Sequence, residues 1–165
     1  MNVQGDPKAI EIYQGLLDDI SASYDSGDFA AYSTYINVPH SAKTVEKNYE
    51  IETVHDLRSI FDTMRAHSKA LGITNYIRVC VSAEFKSEIE IFGTHITYVI
   101  RGGEKVQEPY PVLSHVVFDG SYWRVRSSEN AVEDNNLVGM VLRHGLRSHF
   151  TGQSKTADQM EKKND

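Results

Sequence analysis

Between Asn75 and Glu129 the chain alternates Val, Ile, Tyr and Phe with polar residues, and the alternation breaks at Lys86-Ser87, Gly102-Gly103 and Asp119-Gly120. A period of two, interrupted by turn-forming pairs, predicts four consecutive antiparallel strands. No other stretch constrains the fold as strongly. A sheet with an apolar face must be covered, so the segments before and after it become its cover. A two-residue turn at Gly102-Gly103 sets Val99 opposite Val106, His95 opposite Tyr110, Gly93 opposite Val112 and Ile91 opposite Ser114. The turn around Gly120 sets Phe118 opposite Trp123 and Val116 opposite Val125.

Directly opposed residues share a face. The inner face is therefore expected to carry Ile77, Val79, Val81, Ala83, Phe85, Ile91, His95, Thr97, Tyr110, Val112, Ser114, Val116, Phe118, Trp123, Val125, Ser127 and Glu129. A slip of one residue at any turn would reverse part of that set. Gly93, in mid-strand, is the expected place for the sheet to kink. The outer face carries Phe92, Ile96, Tyr98, Leu113, His115 and Val117, too apolar a set to face water alone. Its expected cover is a second copy of the same sheet, making a homodimer.

The flanking segments read as helices. Asp6-Pro7 is a cap followed by a first-turn proline, and Ile10, Tyr13, Leu17, Ile20 and Tyr24 form one face of a helix ending near Ser26. Gly27 stops it, and Asp28 caps a shorter helix with Phe29, Tyr32, Tyr35 and Ile36. Pro39 ends that run, and a hairpin is expected over Glu46-Lys47-Asn48. Thr53 with Asp56 caps a third helix whose stripe is Leu57, Ile60, Phe61, Met64, Ser68 and Leu71, closed by Gly72. After the strands, Leu137, Val138, Val141 and Leu142 predict a C-terminal helix over about residues 136–149, and the polar stretch 151–165 reads as disordered. Residues 1–150 thus form a single α+β domain.

Composition removes several classes of function. The 165 residues carry a net charge of −6, which leaves no basic footprint for nucleic acid. No apolar run is long enough to span a membrane, and no basic start leads into an apolar stretch as in a signal peptide. Cys80, the one cysteine, reads as a small strand residue and suits a reducing cytoplasm. The seven histidines have no metal-binding spacing, and no phosphate loop, serine elbow or dinucleotide fingerprint occurs, so neither metal nor cofactor is expected.

The order of elements, with Gly27-Asp28-Phe29 between the first helices and Gly120 followed by Trp123-Arg124-Val125 in the last strand, resembles the nuclear transport factor 2-like superfamily over about residues 6–131. That superfamily includes ketosteroid isomerases, scytalone dehydratase, SnoaL-like cyclases and non-catalytic domains. The resemblance implies a cone: a curved antiparallel sheet wrapped around three N-terminal helices, with a pocket open at one end. It does not carry over the isomerase chemistry. Aligned on Gly27-Asp28, the isomerase tyrosine falls on Ile20 and the base aspartate on Thr44. Tyr24 lies one turn from Ile20, and the only acid near Thr44 is Glu46, in a turn.

Candidate chemistry therefore rests on the inner face. His95 could act as a base with Tyr110 orienting a substrate, or it could be a buried histidine bonded to Tyr110 or Thr97 for structure alone. Glu129 could be a carboxylate at the pocket mouth or a solvated strand end. Tyr13, Tyr24, Tyr35, His40, Thr97, Ser114 and Trp123 are candidate ligand contacts, because amphipathic rings and small polar groups suit a cavity wall. Two functions stay open: a pocket for a small apolar molecule, with or without cofactor-free isomerase, dehydratase or cyclase chemistry, and a non-catalytic association domain with a filled cavity.

Overall fold

The computed structural model describes residues 2–146. Its first element is a two-residue strand β1 (Gln4–Gly5), followed by helix α1 (Pro7–Ser26). The Asp6 carboxylate accepts the Lys8 and Ala9 amides, and Gly27 ends α1 in the left-handed conformation with φ 74°. Asp28 caps α2 (Phe29–Tyr35), after which the chain turns straight into strand β2 (Ile36–Lys43) and its hairpin partner β3 (Asn48–Ile51). Strand β2 thus starts before Pro39, earlier than the pattern of residues suggests. Helix α3 (Val54–Leu71) opens on the expected capping box of Thr53 and Asp56 and closes on Gly72.

The central strands are β4 (Asn75–Ser87), β5 (Glu90–Arg101), the short β6 (Glu104–Lys105), β7 (Tyr110–Phe118) and β8 (Trp123–Asn130), and helix α4 (Leu137–Gly145) follows. All eight strands join one curved sheet in the order β1-β4-β5-β7-β8-β2-β3, with β6 on β5. Most pairs are antiparallel, as expected, but the sheet is mixed, because β1 runs parallel to β4 and β2 parallel to β8. The expected tail 151–165, and residues 147–149 of the expected C-terminal helix, lie outside the described residues.

Three irregularities shift the register read from the turns, and two of them change the face assignment. After the Gly102-Gly103 turn the hairpin begins as expected, with Arg101 opposite Glu104 and the Val106 amide on the Val99 carbonyl. Between Val106 and Tyr110 it slips by two residues, so Tyr110 sits opposite Thr97 and Val112 opposite His95. A slip of two preserves faces, so His95, Thr97, Tyr110, Val112, Ser114 and Val116 are all buried on the inner side as expected. In β4 a bulge between Cys80 and Ser82 reverses the faces N-terminal to it. Tyr76 and Cys80 are buried, whereas Ile77 and Val79 are 47% and 43% exposed, the reverse of the expectation. In β8 a bulge between Val125 and Ser127 turns Ser128 and Asn130 inward and Glu129 outward.

The core lies between the inner face and helices α1, α3 and α4. One close contact joins α1 to β5. Tyr13 is fully buried, and a Cβ on Gly93 would lie 2.4 Å from its ring. Glycine at this position therefore admits the helix to the sheet. Helix α4 is fixed by its entry loop. Asp134, buried, accepts hydrogen bonds from Thr44 Oγ1 at 2.5 Å and Tyr49 Oη at 2.9 Å, and its amide donates to Glu46 at 3.0 Å. Close packing of Gly145 on Ile60, and the Ser59 hydroxyl on the Gly145 carbonyl at 2.6 Å, dock α4 on α3.

Gly93→Ala is expected to destabilise the fold by about 2–3 kcal/mol through overpacking against Tyr13. In the Tyr13→Leu background the same change should cost much less, since the ring that clashes is gone. Urea unfolding of the four proteins measures both values, and additive losses would show that the Gly93–Tyr13 contact is not the cause.

Candidate functional site

Inside the cone lies a cavity of about 170 Å³, lined by side chains from every layer of the fold. Helix α1 contributes Leu17 and Ile20, α2 Tyr32, α3 Ile60 and Met64, and α4 Val138 and Leu142. The sheet contributes Ile36, His40, Ala42, Ile51, Arg78, His95, Thr97, Tyr110, Val112, Ser114, Val125, Ser128 and Asn130. Most of the wall is apolar, and the polar groups converge from β2, β4, β5, β7 and β8. That composition suits an organic molecule held by shape and oriented by a few polar contacts. A surface concavity of about 990 Å³ lies beside Pro109 and Asn136, and Tyr110 lines both spaces, forming part of the wall between them.

His95 is the best-defined polar group of the cavity. It is buried, and its Nδ1 lies 2.5 Å from Tyr13 Oη, which in turn donates to Ser114 Oγ at 2.9 Å. Because the single Tyr13 proton goes to Ser114, the Tyr13 oxygen receives the His95 contact, which assigns the proton of the neutral imidazole to Nδ1. Nε2 is then an acceptor with no partner among the described residues. Burial, and secondarily the positive charge of Arg78, pushes the His95 pKa down to about 3. The imidazole is therefore neutral at physiological pH. It can accept a hydrogen bond there, but its low proton affinity is poorly matched to a general base working near pH 7.

The other polar groups have defined partners or conspicuously lack them. The Tyr110 hydroxyl pairs with Thr97, its cross-strand neighbour, and burial raises its pKa. Burial also raises that of Tyr13, and it lowers that of His40, whose Nδ1 donates to the Val125 carbonyl at 3.2 Å. Arg78 is half-buried and reaches Ser21 Oγ at 2.8 Å, yet no carboxylate among the described residues pairs with it. Tyr32 packs its ring on Phe61, and its hydroxyl has no hydrogen-bond partner among the described residues.

Of the residues singled out from the sequence, His40, His95, Thr97, Tyr110 and Ser114 line the cavity, and Tyr13 stands directly behind it, bonded to two of them. Glu129 does not reach it. The β8 bulge turns Glu129 to the exposed face, where it meets Lys43 at 3.5 Å. Tyr24 belongs to a separate buried cluster with Ser68 and Tyr76, at 2.7 Å and 2.9 Å around the Ser68 hydroxyl. Tyr35 packs edge-on to Tyr122, and Trp123 packs on Phe118 and Phe85, both away from the cavity. Sequence reasoning missed Arg78, Ser128 and Asn130. The reason is the two bulges, which leave no clear mark in a pattern of alternating residues.

Among the described residues no group of three or more His, Cys, Asp or Glu side chains is placed to hold a metal ion, and no helix is long and apolar enough to cross a membrane. The architecture has clear counterparts. The chain resembles an NTF-2-like protein of unknown function from Shewanella oneidensis, with a TM-score of 0.54 and 14% identity over 74% of this chain and 98% of that one. The chain has the nuclear transport factor 2-like fold. A function-unknown protein from Mycobacterium tuberculosis matches with a TM-score of 0.57 and 13% identity over 84% and 86% of the two chains. A ketosteroid isomerase-like protein from Erwinia carotovora atroseptica matches at 0.52 and 9% over 76% and 97%. At these identities the likeness concerns the nuclear transport factor 2-like fold alone. No protein-family model matches the sequence, and a search of curated proteins finds no match to it.

The depressed His95 pKa makes stability depend on pH. The folded value of about 3 lies below the ordinary unfolded value of about 6.5, so the unfolded chain binds the extra proton between those limits. Stability is full above about pH 6.5 and falls as the pH drops toward 3, by up to about 1.4 kcal/mol per pH unit for this one group. His40, also lowered by burial, adds loss of the same sign. Between pH 7 and pH 5 the wild type should lose about 2 kcal/mol through His95, and His95→Gln should lose correspondingly less. Urea unfolding at the two pH values checks this, and parallel losses would show that His95 is not buried as neutral imidazole.

Proposed function

We propose that this protein binds a small, mostly apolar organic molecule in the cavity within the cone. The observation that supports this most directly is the convergence of His95, Tyr110, Ser114 and Arg78 on an otherwise apolar space of about 170 Å³. A packed core closes such gaps, and polar groups left facing one are costly without a partner. The volume also limits the ligand. A cavity of about 150 Å³ accommodates benzene, so a single ring with small substituents fits and a steroid does not. This agrees with Ile20 and Thr44 at the positions where an isomerase would carry its tyrosine and aspartate.

An acid–base step on the bound molecule, of isomerase, dehydratase or cyclase type, is the finer reading. It would place the proton acceptor at His95 Nε2, with Tyr110 orienting the ligand from the adjacent strand. The low proton affinity of His95 favours binding as the basic function and confines catalysis to substrates that themselves raise that affinity. Assembly is a second, separate proposal. The outer face of Phe92, Ile96, Tyr98, Leu113, His115 and Val117 is joined by Ile77 and Val79, which the β4 bulge turns outward. Phe92, Leu113, Ile77 and Val79 are each at least 37% exposed, which supports a homodimer through this face.

Neutral single-ring compounds such as phenol and benzyl alcohol are expected to raise the melting temperature of the wild type. Ala42→Leu, which fills part of the cavity, should abolish the shift while leaving the protein folded. If no such compound shifts the wild type, the filled-cavity alternative holds. Light scattering at micromolar concentration is expected to give twice the chain mass, and Leu113→Lys to give the monomer. A wild-type monomer would remove the dimer.

A further inference from the structure

Arg78 is the one feature of the cavity that an apolar ligand leaves unexplained. Its Cα lies in β4 opposite Thr97, and the bulge at Cys80 and Ser82 sets its side chain toward the interior with Tyr76 and Cys80. The guanidinium offers five donors, of which the structure pairs one nitrogen with a neutral hydroxyl, Ser21 Oγ at 2.8 Å. It lies over the Tyr76 ring at 5.6 Å, a further site for a cation but not a counter-ion. Among the described residues no Asp or Glu neutralises it. A half-buried guanidinium without a carboxylate loses part of its hydration with no counter-ion to offset the loss.

The polar groups that share the cavity wall with it are neutral. Tyr32 and Tyr110 share the cavity wall with Arg78, and its charge favours the ionised form of both. The Tyr32 hydroxyl has no partner among the described residues, so a second donor is available on the same wall. His95 Nε2, as an acceptor, occupies another part of that wall. The cavity thus presents a cation and a free hydroxyl to one part of its occupant, an acceptor to another, and an apolar surface to the rest.

We propose, resting on the reading of the cavity as a ligand site, that its natural ligand is a compact cyclic carboxylate, with its anionic group on Arg78 and the Tyr32 hydroxyl. A carboxylate matches the planar fork of a guanidinium and accepts hydrogen bonds only, as this part of the wall requires. A phosphate of the same ring size would bring more charge than one arginine balances, and the described lining holds no second cation. A hydroxyl or amine elsewhere on the ring would donate to His95 Nε2. The bound anion would also offset the Arg78 charge that helps depress the His95 pKa, so binding should raise the proton affinity of that imidazole.

Calorimetric titration with benzoate and with benzyl alcohol, its neutral counterpart, tests the assignment on the wild-type protein. Benzoate is expected to bind at least about tenfold more tightly, the worth of one charge-assisted contact. Arg78→Met should lose at least about tenfold in benzoate affinity while changing that for benzyl alcohol little, and Arg78→Lys should retain part of the benzoate affinity. If benzyl alcohol binds and benzoate binds no better, the carboxylate assignment is overturned and the pocket stands. Equal benzoate affinity in Arg78→Met overturns it too. If neither compound binds, pocket and assignment fall together. Should Arg78→Met not fold, the comparison of the two compounds on the wild type and on Arg78→Lys decides the matter.

Discussion

The contact of Tyr13 with Gly93 sets how closely α1 approaches the sheet and shapes what lies inside the cone. Three elements meet there. The phenol ring of α1 lies where a side chain on β5 would otherwise be, and its hydroxyl reaches His95 on β5 and Ser114 on β7. Burial of the ring supplies apolar area, and the two hydrogen bonds satisfy polar groups that would otherwise be stranded in the core. The same bonds set the chemistry of the cavity. By giving its own proton to Ser114, Tyr13 fixes the imidazole in the tautomer whose free nitrogen is an acceptor. A packing requirement and a chemical one are therefore met by a single residue, and neither can be altered alone.

Two bulges determine which other groups join His95. One residue of slip in β4 brings Arg78 in and puts Ile77 and Val79 out, and one in β8 exchanges Glu129 for Ser128 and Asn130. Their combined effect is electrostatic. A cavity that would have held a carboxylate and no cation instead holds a cation and no carboxylate. Burial keeps the remaining titratable groups neutral, with His95 and His40 pushed down and Tyr13 and Tyr110 pushed up. The guanidinium is then the single charge on the described wall.

Closure of the cone depends on a segment far from that chemistry. Asp134 ties the loop before α4 to Thr44 and Tyr49 on the β2–β3 hairpin, and the helix it positions contributes Val138 and Leu142 to the cavity wall. Those two hydrogen bonds hold its carboxyl below the usual range despite the opposing effect of burial. The outer face of the sheet is shaped by the same β4 bulge that shapes the inside, since each residue turned in leaves a neighbour turned out. Ile77 and Val79 therefore enlarge the apolar outer surface as a direct consequence of admitting Arg78.

The sequence by itself determined the helices and their caps, because these are local. Asp6, Asp28, Thr53 with Asp56, Gly27 and Gly72 cap and stop helices where their side chains or φ values require. It also determined the inner placement of His95, Thr97, Tyr110 and Ser114, since a slip of two residues in β5–β7 leaves faces unchanged. Only the tertiary structure decided the parallel joins at β1 and β2, the exclusion of Tyr24, Tyr35, Trp123 and Glu129 from the cavity, and the inclusion of Arg78 and Tyr32. The physical reason is parity. A strand's side chains alternate with period two, so one extra residue in a bulge reverses everything beyond it. Whether a bulge forms depends on how the curved sheet meets the helices packed against it, which alternation along one strand does not record.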